Sequence, residues 1–373
     1  MAKPVQRDIS VGIIANPASG RDIRRLTAKA SVFPTAEKAN MIQRLLGPLG
    51  QLGVDRVLMM PDMTGIAAGV LRALQSHHAS RLPPWPRVEF LDMQLEEDAS
   101  DSARAARLIE QAGAALVVVL GGDGTHRVVA AACPELPMAT LSSGTNNVFP
   151  DLREATVTGL AAALYATGRV PAQVALQRNK RLRISVGRRS DIALVDVCVT
   201  RLDHLGARAV WEPASIAELY VSFAEPDAIG LSAIAAAVAP VTRSAAQGLR
   251  LQCGSGGRPL LAPIAPGVLA TVPVRQAAVM QPGVDYPVAP LRGSIALDGE
   301  REIEVDAGEQ ALVRLELDGP LTLDVPATLA AAARGPGGPA IPFAEPSARG
   351  WPHPVDSTTT KEEGDPRDHH AQS

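Results

Sequence analysis

The sequence contains little cysteine and no metal-binding spacing. Cys133, Cys198 and Cys253 are the only cysteines in 373 residues. They form no Cys-x-x-Cys pair, and their number is odd, so they do not make the paired framework of a small secreted domain. We therefore expect buried, unreactive thiols in the reducing environment of the cytoplasm.

A dominant charge and long apolar runs are also missing. The 36 Lys and Arg residues nearly balance the 39 Asp and Glu residues, so no strong field would attract nucleic acid or an anionic membrane surface. No apolar run approaches the roughly 20 residues that cross a bilayer, and the first ten residues carry no apolar segment typical of a secretory signal. We expect a cytoplasmic protein without a nucleic-acid partner or a membrane span.

Up to residue 168, predicted strands alternate with predicted helices. Val11–Asn16 is a continuous apolar strand, and apolar residues from Met41 to Leu52 recur on one face of the helix that follows. Apolar strands separated by helices predict a doubly wound, mostly parallel α/β domain over residues 1–168. Ligands of such sheets bind beyond the carboxyl ends of the strands.

After Gly168 the chain consists of short segments rich in β-forming residues and broken by polar or glycine turns. This pattern predicts an antiparallel β-sandwich domain over residues 169–334. Within it, the apolar segment 214–239 resembles a helical insertion. Residues 335–373 are rich in Pro, Gly, Ser and charge, and we expect them to form a disordered tail.

Three loops of small and polar residues follow predicted strands of the first domain. They begin at Asn16 (NPASGR), Gly121 (GGDGT) and Ser142 (SSGTNN). Small residues let the backbone approach a phosphate, while hydroxyl and amide groups suit a ribose or a purine edge. Each loop alone could equally be a plain turn or a helix cap. Because strand ends of one sheet converge on one edge, the three loops together predict a nucleotide site.

The GGDGT loop carries an acid at its centre. It is neither a Walker A loop nor a Gly-x-Gly-x-x-Gly loop, since Arg127 occupies the third glycine position. The Asp123 carboxylate is tolerable beside a triphosphate if it faces Mg²⁺ or the attacking hydroxyl group, and both uses indicate phosphoryl transfer. The alternative is that Asp123 only forms a tight turn and caps a helix that starts near Thr125.

Four motifs in order resemble the NAD kinase and diacylglycerol kinase superfamily. GGDGT is the signature of that superfamily, NPASG and SSGTNNVF are similar to loops of its lipid-kinase branch, and Asp298–Glu300 resembles the branch's Asp-Gly-Glu element. More narrowly, ANPASGRDIRRL and ASVFPTAEKANMIQRLL resemble the ATP-NAD kinase-like family that includes acetoin catabolism protein X. The resemblance implies an α/β domain followed by a β-sandwich, ATP with Mg²⁺ as phosphoryl donor, and NAD as substrate.

The resemblance also implies roles for individual residues. Asp123 and Glu300 would be catalytic, and either could take the proton of the accepting hydroxyl group. Asp298 would support the metal ion or the loop, and Asp196 would contact the substrate; without the resemblance, Leu297–Glu300 is a plain β-turn. No fixed protein cluster of metal ligands is implied. The implied phosphate and nucleotide ligands are Asn16, Ser19, Gly20, Gly121, Gly122, Gly124, Thr125, Gly144, Thr145, Asn146 and Asn147.

One departure from the family leaves the substrate open. NAD kinases carry an Asn-Glu pair where this chain has Val195 and Asp196, and valine cannot make the hydrogen bonds of asparagine. A lipid or another small hydroxylated metabolite is the second candidate acceptor, since segment 214–239 is apolar enough to line a groove. The third is a sensor that binds NAD or ATP without catalysis. The resemblance further suggests a homo-oligomer, and a link to acetoin catabolism rests on the family name.

Overall fold

A computed structural model describes residues 8–17, 31, 33–79, 82–201, 213–289, 292–306 and 308–334. Ser19, Gly20 and the expected tail of residues 335–373 lie outside this part of the chain. Within it, no helix is both long and apolar enough to cross a membrane.

The first layer is a seven-stranded sheet. Its strands are β1 (Ser10–Ala15), β2 (Arg56–Met59), β3 (Arg87–Phe90), β4 (Val117–Gly121), β5 (Met138–Ser142), β6 (Leu176–Arg178) and β17 (Leu321–Leu323). They lie in the order β3-β2-β1-β4-β5-β17-β6. Every neighbouring pair is parallel except β17 and β6, which are antiparallel. The sheet therefore has the mostly parallel arrangement that the sequence predicts.

Helices cover both faces of this sheet. They are α1 (Thr35–Gln51), α2 (Ile66–His78), α3 (Ala99–Gln111), α4 (Asp123–Ala132), α5 (Ala155–Ala166), α6 (Ala172–Ala175) and α8 (Val325–Ala333). Successive residues of a strand point to opposite faces, so Ile13 packs in the core with α1 while Ile14 packs in the core with α3 and α4. Because both faces of the sheet are covered, the central strands β1 and β4 are buried along their whole length, and the predicted mostly parallel α/β fold is confirmed.

The second region consists of two antiparallel sheets. The strands are β7 (Arg181–Val186), β8 (Arg189–Ala193), β9 (Asp196–Thr200), β10 (Ile216–Val221), β11 (Gly248–Ala265), β12 (Val268–Met280), β13 (Asp285–Pro287), β14 (Gly293–Leu297), β15 (Glu300–Val305) and β16 (Ala311–Glu316). One sheet has the order β12-β11-β10-β9-β14-β15 and the other has the order β13-β16-β7-β8. Ile184 from one sheet and Ile295 from the other share a core, which confirms the predicted antiparallel β region.

The expected helical insertion over 214–239 is wrong in its first part. Ile216–Val221 is the strand β10, which lies between β9 and β11, and only α7 (Leu231–Ala236) is helical. Leu219 faces the core beneath α7 and Tyr220 faces the core between the two sheets. Since both faces of β10 are buried, its sequence shows no alternation, and a short apolar run of this kind cannot be distinguished from a helix by periodicity.

The last described elements return the chain to the first sheet. β17 inserts between β5 and β6, and α8 follows it and packs against α5. The chain therefore leaves the first layer after residue 178 and re-enters it at residue 321. Residues 172–178 and 321–333 belong to the first sheet and its helices.

Candidate active site

The loops after β1, β4 and β5 lie at one edge of the first sheet. These three strands are parallel neighbours, so their carboxyl ends meet. The Asn16 side-chain amide donates to Thr125 Oγ1 at 2.9 Å, and the Ser143 N–H donates to the Gly121 carbonyl oxygen at 3.2 Å. The described parts of the three loops are thus in direct contact.

Two glycines allow the GGDGT loop to pack closely. A Cβ atom on Gly121 would lie 2.7 Å from the Thr125 Cβ atom, and one on Gly122 would lie 2.9 Å from Asn147 Oδ1. Gly122 is the N-cap of α4, whose first residue is Asp123. The first turn of a helix presents unpaired backbone N–H groups and the positive end of the helix dipole, which together favour a bound phosphate.

The Asp123 carboxylate reaches across to the loop after β5. It accepts hydrogen bonds from the N–H groups of Val148, at 3.0 and 3.1 Å, and of Phe149, at 2.8 Å. α4 begins at Asp123 and not near Thr125, so this side chain is not the helix N-cap. It joins two of the three loops, which a simple turn residue would not do.

The SSGTNN loop is held mostly by its own side chains. Asn147 Nδ2 donates to Ser142 Oγ at 2.7 Å, and that hydroxyl group donates to the Gly144 carbonyl oxygen at 2.7 Å. Thr145 is exposed and forms two hydrogen bonds with Ser31. The Ser31 N–H donates to Thr145 Oγ1 at 3.0 Å, and the Thr145 N–H donates to the Ser31 carbonyl oxygen at 3.1 Å. Asn146 and Asn147 are half-buried, so this loop offers a preformed polar surface at the sheet edge.

Glu300 brings the second region to the same place. The turn between β14 and β15 has positive φ angles at Asp298 (50°) and Gly299 (81°), the conformation of a two-residue type I′ hairpin. The turn directs Glu300 toward α4, where both of its carboxylate oxygens lie within 3.6–3.7 Å of the Cβ position on Gly124. The Asp-Gly-Glu element therefore meets the GGDGT loop, although 176 positions separate Gly124 from Glu300.

Asp298 anchors this turn from inside the protein. Its side chain is fully buried and accepts hydrogen bonds from the N–H groups of Leu194 (3.0 Å), Val195 (2.7 Å) and Asp196 (3.2 Å). Burial raises the pKa of Asp298 to about 6, and Arg127, whose Nε lies 3.9 Å away, acts in the opposite direction. Of the two roles that the resemblance implies for Asp298, the contacts match support of the loop.

The Val195–Asp196 pair is also buried. Val195 is 1% exposed and Asp196 is 4% exposed. Their backbone groups are used by the fold, since the Val195 carbonyl accepts from the Ser222 N–H and the Asp196 carbonyl accepts from the Asp298 N–H, both at 2.9 Å. A substrate could reach the Asp196 carboxylate only if the surrounding chain moved. The predicted contact between Asp196 and a substrate stays a prediction.

Lys38 is a cation near the site that the motifs did not reveal. It lies in the first turn of α1, is 2% exposed, and donates through Nζ to the carbonyl oxygens of Asn16 (2.9 Å) and Pro17 (3.4 Å). The available signal was its position on the apolar face of α1, three residues before Met41. A lysine on such a face has a buried partner, and here the partner is the backbone of the first loop.

Arg127 and the three cysteines complete the surroundings. Arg127 Nη1 donates to Asp191 Oδ2 at 3.1 Å, so α4 is tied to β8 as well as to the turn that carries Glu300. All three cysteines are buried, and burial raises the pKa of each thiol, as expected for unreactive residues.

His126 gives a testable pH dependence. It is fully buried beside the loop, its Nδ1 donates to the Gly122 carbonyl oxygen at 2.8 Å, and burial lowers its pKa to about 4. The unfolded chain binds a proton near pH 6.5 but the folded chain does not, so the free energy of unfolding should fall as pH drops from 6.5 toward 4. The loss from this one group is about 3 kcal/mol at pH 4.

We expect His126→Gln to remove most of this acid-side loss. Urea unfolding of both proteins at pH 7 and pH 4.5 measures it, and the change with pH should be smaller in the variant. Asp298, whose raised pKa acts with the opposite sign over the same range, is present in both proteins and cancels in the difference. Equal pH dependence in the two proteins would show that His126 is not held neutral by the fold.

Comparisons with known proteins match both regions of the chain. The model of the ATP-NAD kinase N-terminal domain matches residues 11–170, and that of the acetoin catabolism protein X C-terminal domain matches residues 180–318. Acetoin catabolism protein X from Cupriavidus necator is 45% identical over 335 residues, which are 87% of this chain and 92% of that protein. The crystal structure of yeast NADH kinase complexed with NADH has a TM-score of 0.45 and 14% identity, with 87% and 88% of the two chains covered.

The family assignment rests on the similarity to the protein from Cupriavidus necator. Its identity of 45% extends across both regions, and the two family models leave only residues 171–179 between them. The similarity therefore covers both the α/β region and the antiparallel region of the chain. The protein belongs to the acetoin catabolism protein X family, whose first domain is that of the ATP-NAD kinases.

Proposed function

We propose that this protein transfers a phosphoryl group from ATP to a hydroxyl group of a small molecule, with NAD as the leading acceptor. The observation that carries the proposal is the position of the Glu300 carboxylate beside Gly124, at the first turn of α4. A potential proton acceptor thus lies next to a potential phosphate site. The match of residues 11–170 to the ATP-NAD kinases supports a nucleotide as the ligand.

The phosphates of ATP would be held mainly by the backbone. The loop Gly121–Gly122 and the first turn of α4 supply N–H groups, and the helix dipole adds a favourable field. Lys38, bound to the carbonyl of Asn16, places a positive charge behind the first loop. We assign the polar side chains of Thr145, Asn146 and Asn147 to the sugar or the base, because they offer hydrogen bonds without charge.

We assign different roles to the two acidic residues, Asp123 and Glu300. Both oxygens of Asp123 accept hydrogen bonds from Val148 or Phe149, so we assign this residue to holding the loops in register. Glu300 would take the proton of the attacking hydroxyl group. Mg²⁺, when bound with ATP, neutralises charge on the phosphates. Among the described residues no three His, Cys, Asp or Glu side chains are grouped to hold a metal. An ion bound with ATP would therefore take its ligands from phosphate oxygens and water.

One structural observation makes NAD a better candidate than a lipid. The apolar segment that could have lined a lipid groove is internal, because Ile234 of α7 is fully buried against the strands beneath it. The lipid acceptor thereby loses the sequence feature that favoured it. A non-catalytic sensor would bind the nucleotide without turnover, so a turnover assay distinguishes it from the kinase.

Turnover with ATP, Mg²⁺ and NAD tests the proposal directly. We expect NADP to form in proportion to enzyme and time, followed with an NADP-specific dehydrogenase. Parallel reactions with radiolabelled ATP and diacylglycerol in micelles would transfer label only if the acceptor is a lipid. Calorimetric binding of NAD or ATP without any transfer would replace the kinase by the sensor. If the protein showed no phosphoryl transfer and no nucleotide binding, both the kinase hypothesis and the sensor hypothesis would be refuted.

A further inference from the structure

Arg243 from the second region holds the loop that Asp123 binds. It lies in the segment 222–247, which connects β10 to β11. Its guanidinium group donates to the carbonyl oxygens of Val148, at 2.6 Å, and Phe149, at 2.9 Å. These are the two residues whose N–H groups donate to Asp123. The same short stretch of backbone is therefore bound by a cation on one side and a carboxylate on the other.

One peptide group connects the two charges directly. The carbonyl of Val148 and the N–H of Phe149 belong to the same planar peptide unit. Its oxygen accepts from Arg243 at 2.6 Å while its N–H donates to Asp123 at 2.8 Å. Hydrogen bonds to ionised groups are shorter and stronger than neutral ones, and each polarises the peptide in the direction that strengthens the other. Displacing the guanidinium group should thus loosen the carboxylate as well.

Arg243 is itself fixed by its surroundings. Its guanidinium carbon lies 4.3 Å from the ring centre of Phe223 and 5.4 Å from that of Phe149. Its Nε atom lies 3.4 Å from a carboxylate oxygen of Glu225. Aromatic faces and a carboxylate orient a planar guanidinium group, so little freedom is left for the side chain to lose when it binds the loop.

The backbone on both sides of Arg243 is anchored too. Lys180 is 5% exposed, and its ammonium group donates to the carbonyl oxygens of Thr242, at 3.0 Å, and Gln247, at 2.8 Å. Burial lowers the pKa of Lys180 to about 8, and the negative charge of Glu225 acts in the opposite direction. The segment that presents Arg243 is therefore held at two points by a residue from the start of the β region.

We infer that Arg243 is a positioning residue for Asp123, acting through the Val148–Phe149 peptide. It would not touch the nucleotide. Because the residues just before this peptide form the SSGTNN loop, the second region would set the geometry of that nucleotide loop and of the Asp123 carboxylate together. The kinetic consequence rests on the proposed phosphoryl transfer, while the mechanical link can be measured without any turnover.

Amide hydrogen exchange measures that link. The proteins to compare are the wild type, Asp123→Asn, Arg243→Met and the double variant, and the readout is exchange in peptides that cover residues 142–150. We expect each single variant to speed exchange there about 10-fold, and the double variant to add little more, because both changes break one connected unit. Exchange in the buried strand β4 reports any general loss of stability and serves as the internal reference.

A matched control is available in Arg275. Its guanidinium group also donates to a backbone carbonyl, that of Ser255 at 2.8 Å, but at the exposed hairpin formed by β11 and β12. Arg275→Met should leave exchange in residues 142–150 unchanged. If Arg243→Met behaves like this control, or if the effects of the two site variants simply add, the inference is wrong.

Kinetics supply the second readout. We expect Arg243→Met to lower kcat about 100-fold, because misplacing the nucleotide loop by about 1 Å relative to Glu300 has an effect of that size, while KM for ATP rises by a smaller factor of about threefold. Arg243→Lys should recover part of the loss, since it restores the charge without the two-pronged geometry. Loss of kcat and ATP binding in equal measure would indicate a general structural defect. An inactive wild type would refute the proposed function and leave the exchange result to decide on Arg243.

Discussion

Glu300→Gln is expected to lower kcat for phosphoryl transfer by about 100- to 10,000-fold, with ATP binding nearly unchanged. Glutamine has the size and shape of glutamate but cannot accept a proton at neutral pH. The change therefore removes the chemistry assigned to the carboxylate beside Gly124 and leaves the packing of the turn intact. Initial rates at saturating ATP measure kcat, and titration calorimetry measures nucleotide affinity.

Glu304→Gln is the matched control for this variant. Glu304 lies on the same strand, β15, and its side chain is exposed. Its substitution makes the same chemical change away from α4 and should leave the rate within about twofold of the wild type. A Glu300→Gln enzyme that turned over as fast as this control would show that another group accepts the proton, and Asp123 would be the first alternative.

Asp123→Asn is expected to reduce transfer at least about 100-fold for a different reason. The carboxylate accepts from two backbone N–H groups, and an asparagine must place its NH₂ group against one of them. The loop after β5 should then shift away from α4. We expect faster amide exchange in residues 142–150 together with the loss of rate, whereas Glu300→Gln should lose rate alone.

Asp151→Asn controls for a lost carboxylate in the same loop. Asp151 is two positions beyond Phe149, and its side chain is half-exposed and paired with Arg153 at 3.2 Å. This variant should keep both the rate and the exchange pattern of the wild type. Full activity in Asp123→Asn, with exchange unchanged, would remove Asp123 from the site altogether.

The centre of the first sheet could be predicted from the sequence because its strands β1 and β4 are buried on both faces. Val117–Gly121 is apolar along its whole length, and its end coincides with the start of a glycine loop. The rule that ligands collect at the carboxyl ends of parallel strands then placed three loops at one edge. Burial on both faces also caused the error at β10, because such a strand lacks the alternation of apolar and polar residues that identifies a strand.

The contacts across the two regions could not be predicted in the same way. The position of Glu300 beside Gly124 has no local pattern, and only the family resemblance suggested it. Arg243 left no signal at all, because its partners are two backbone carbonyls about 94 positions away. Backbone acceptors are present at every residue, so a side chain that binds them does not constrain the type of residue at the other end.

The insertion of β17 between β5 and β6 has a consequence for biosynthesis. The first half emerges from the ribosome with β5 lacking its neighbour on one side, and that neighbour is made some 180 residues later, at Leu321–Leu323. Until then the nascent chain presents an open strand edge of buried, apolar character, which is where premature association begins. A gene fragment that stops near residue 170, where the first family match ends, should therefore yield insoluble product, while co-expression of the remainder should rescue it.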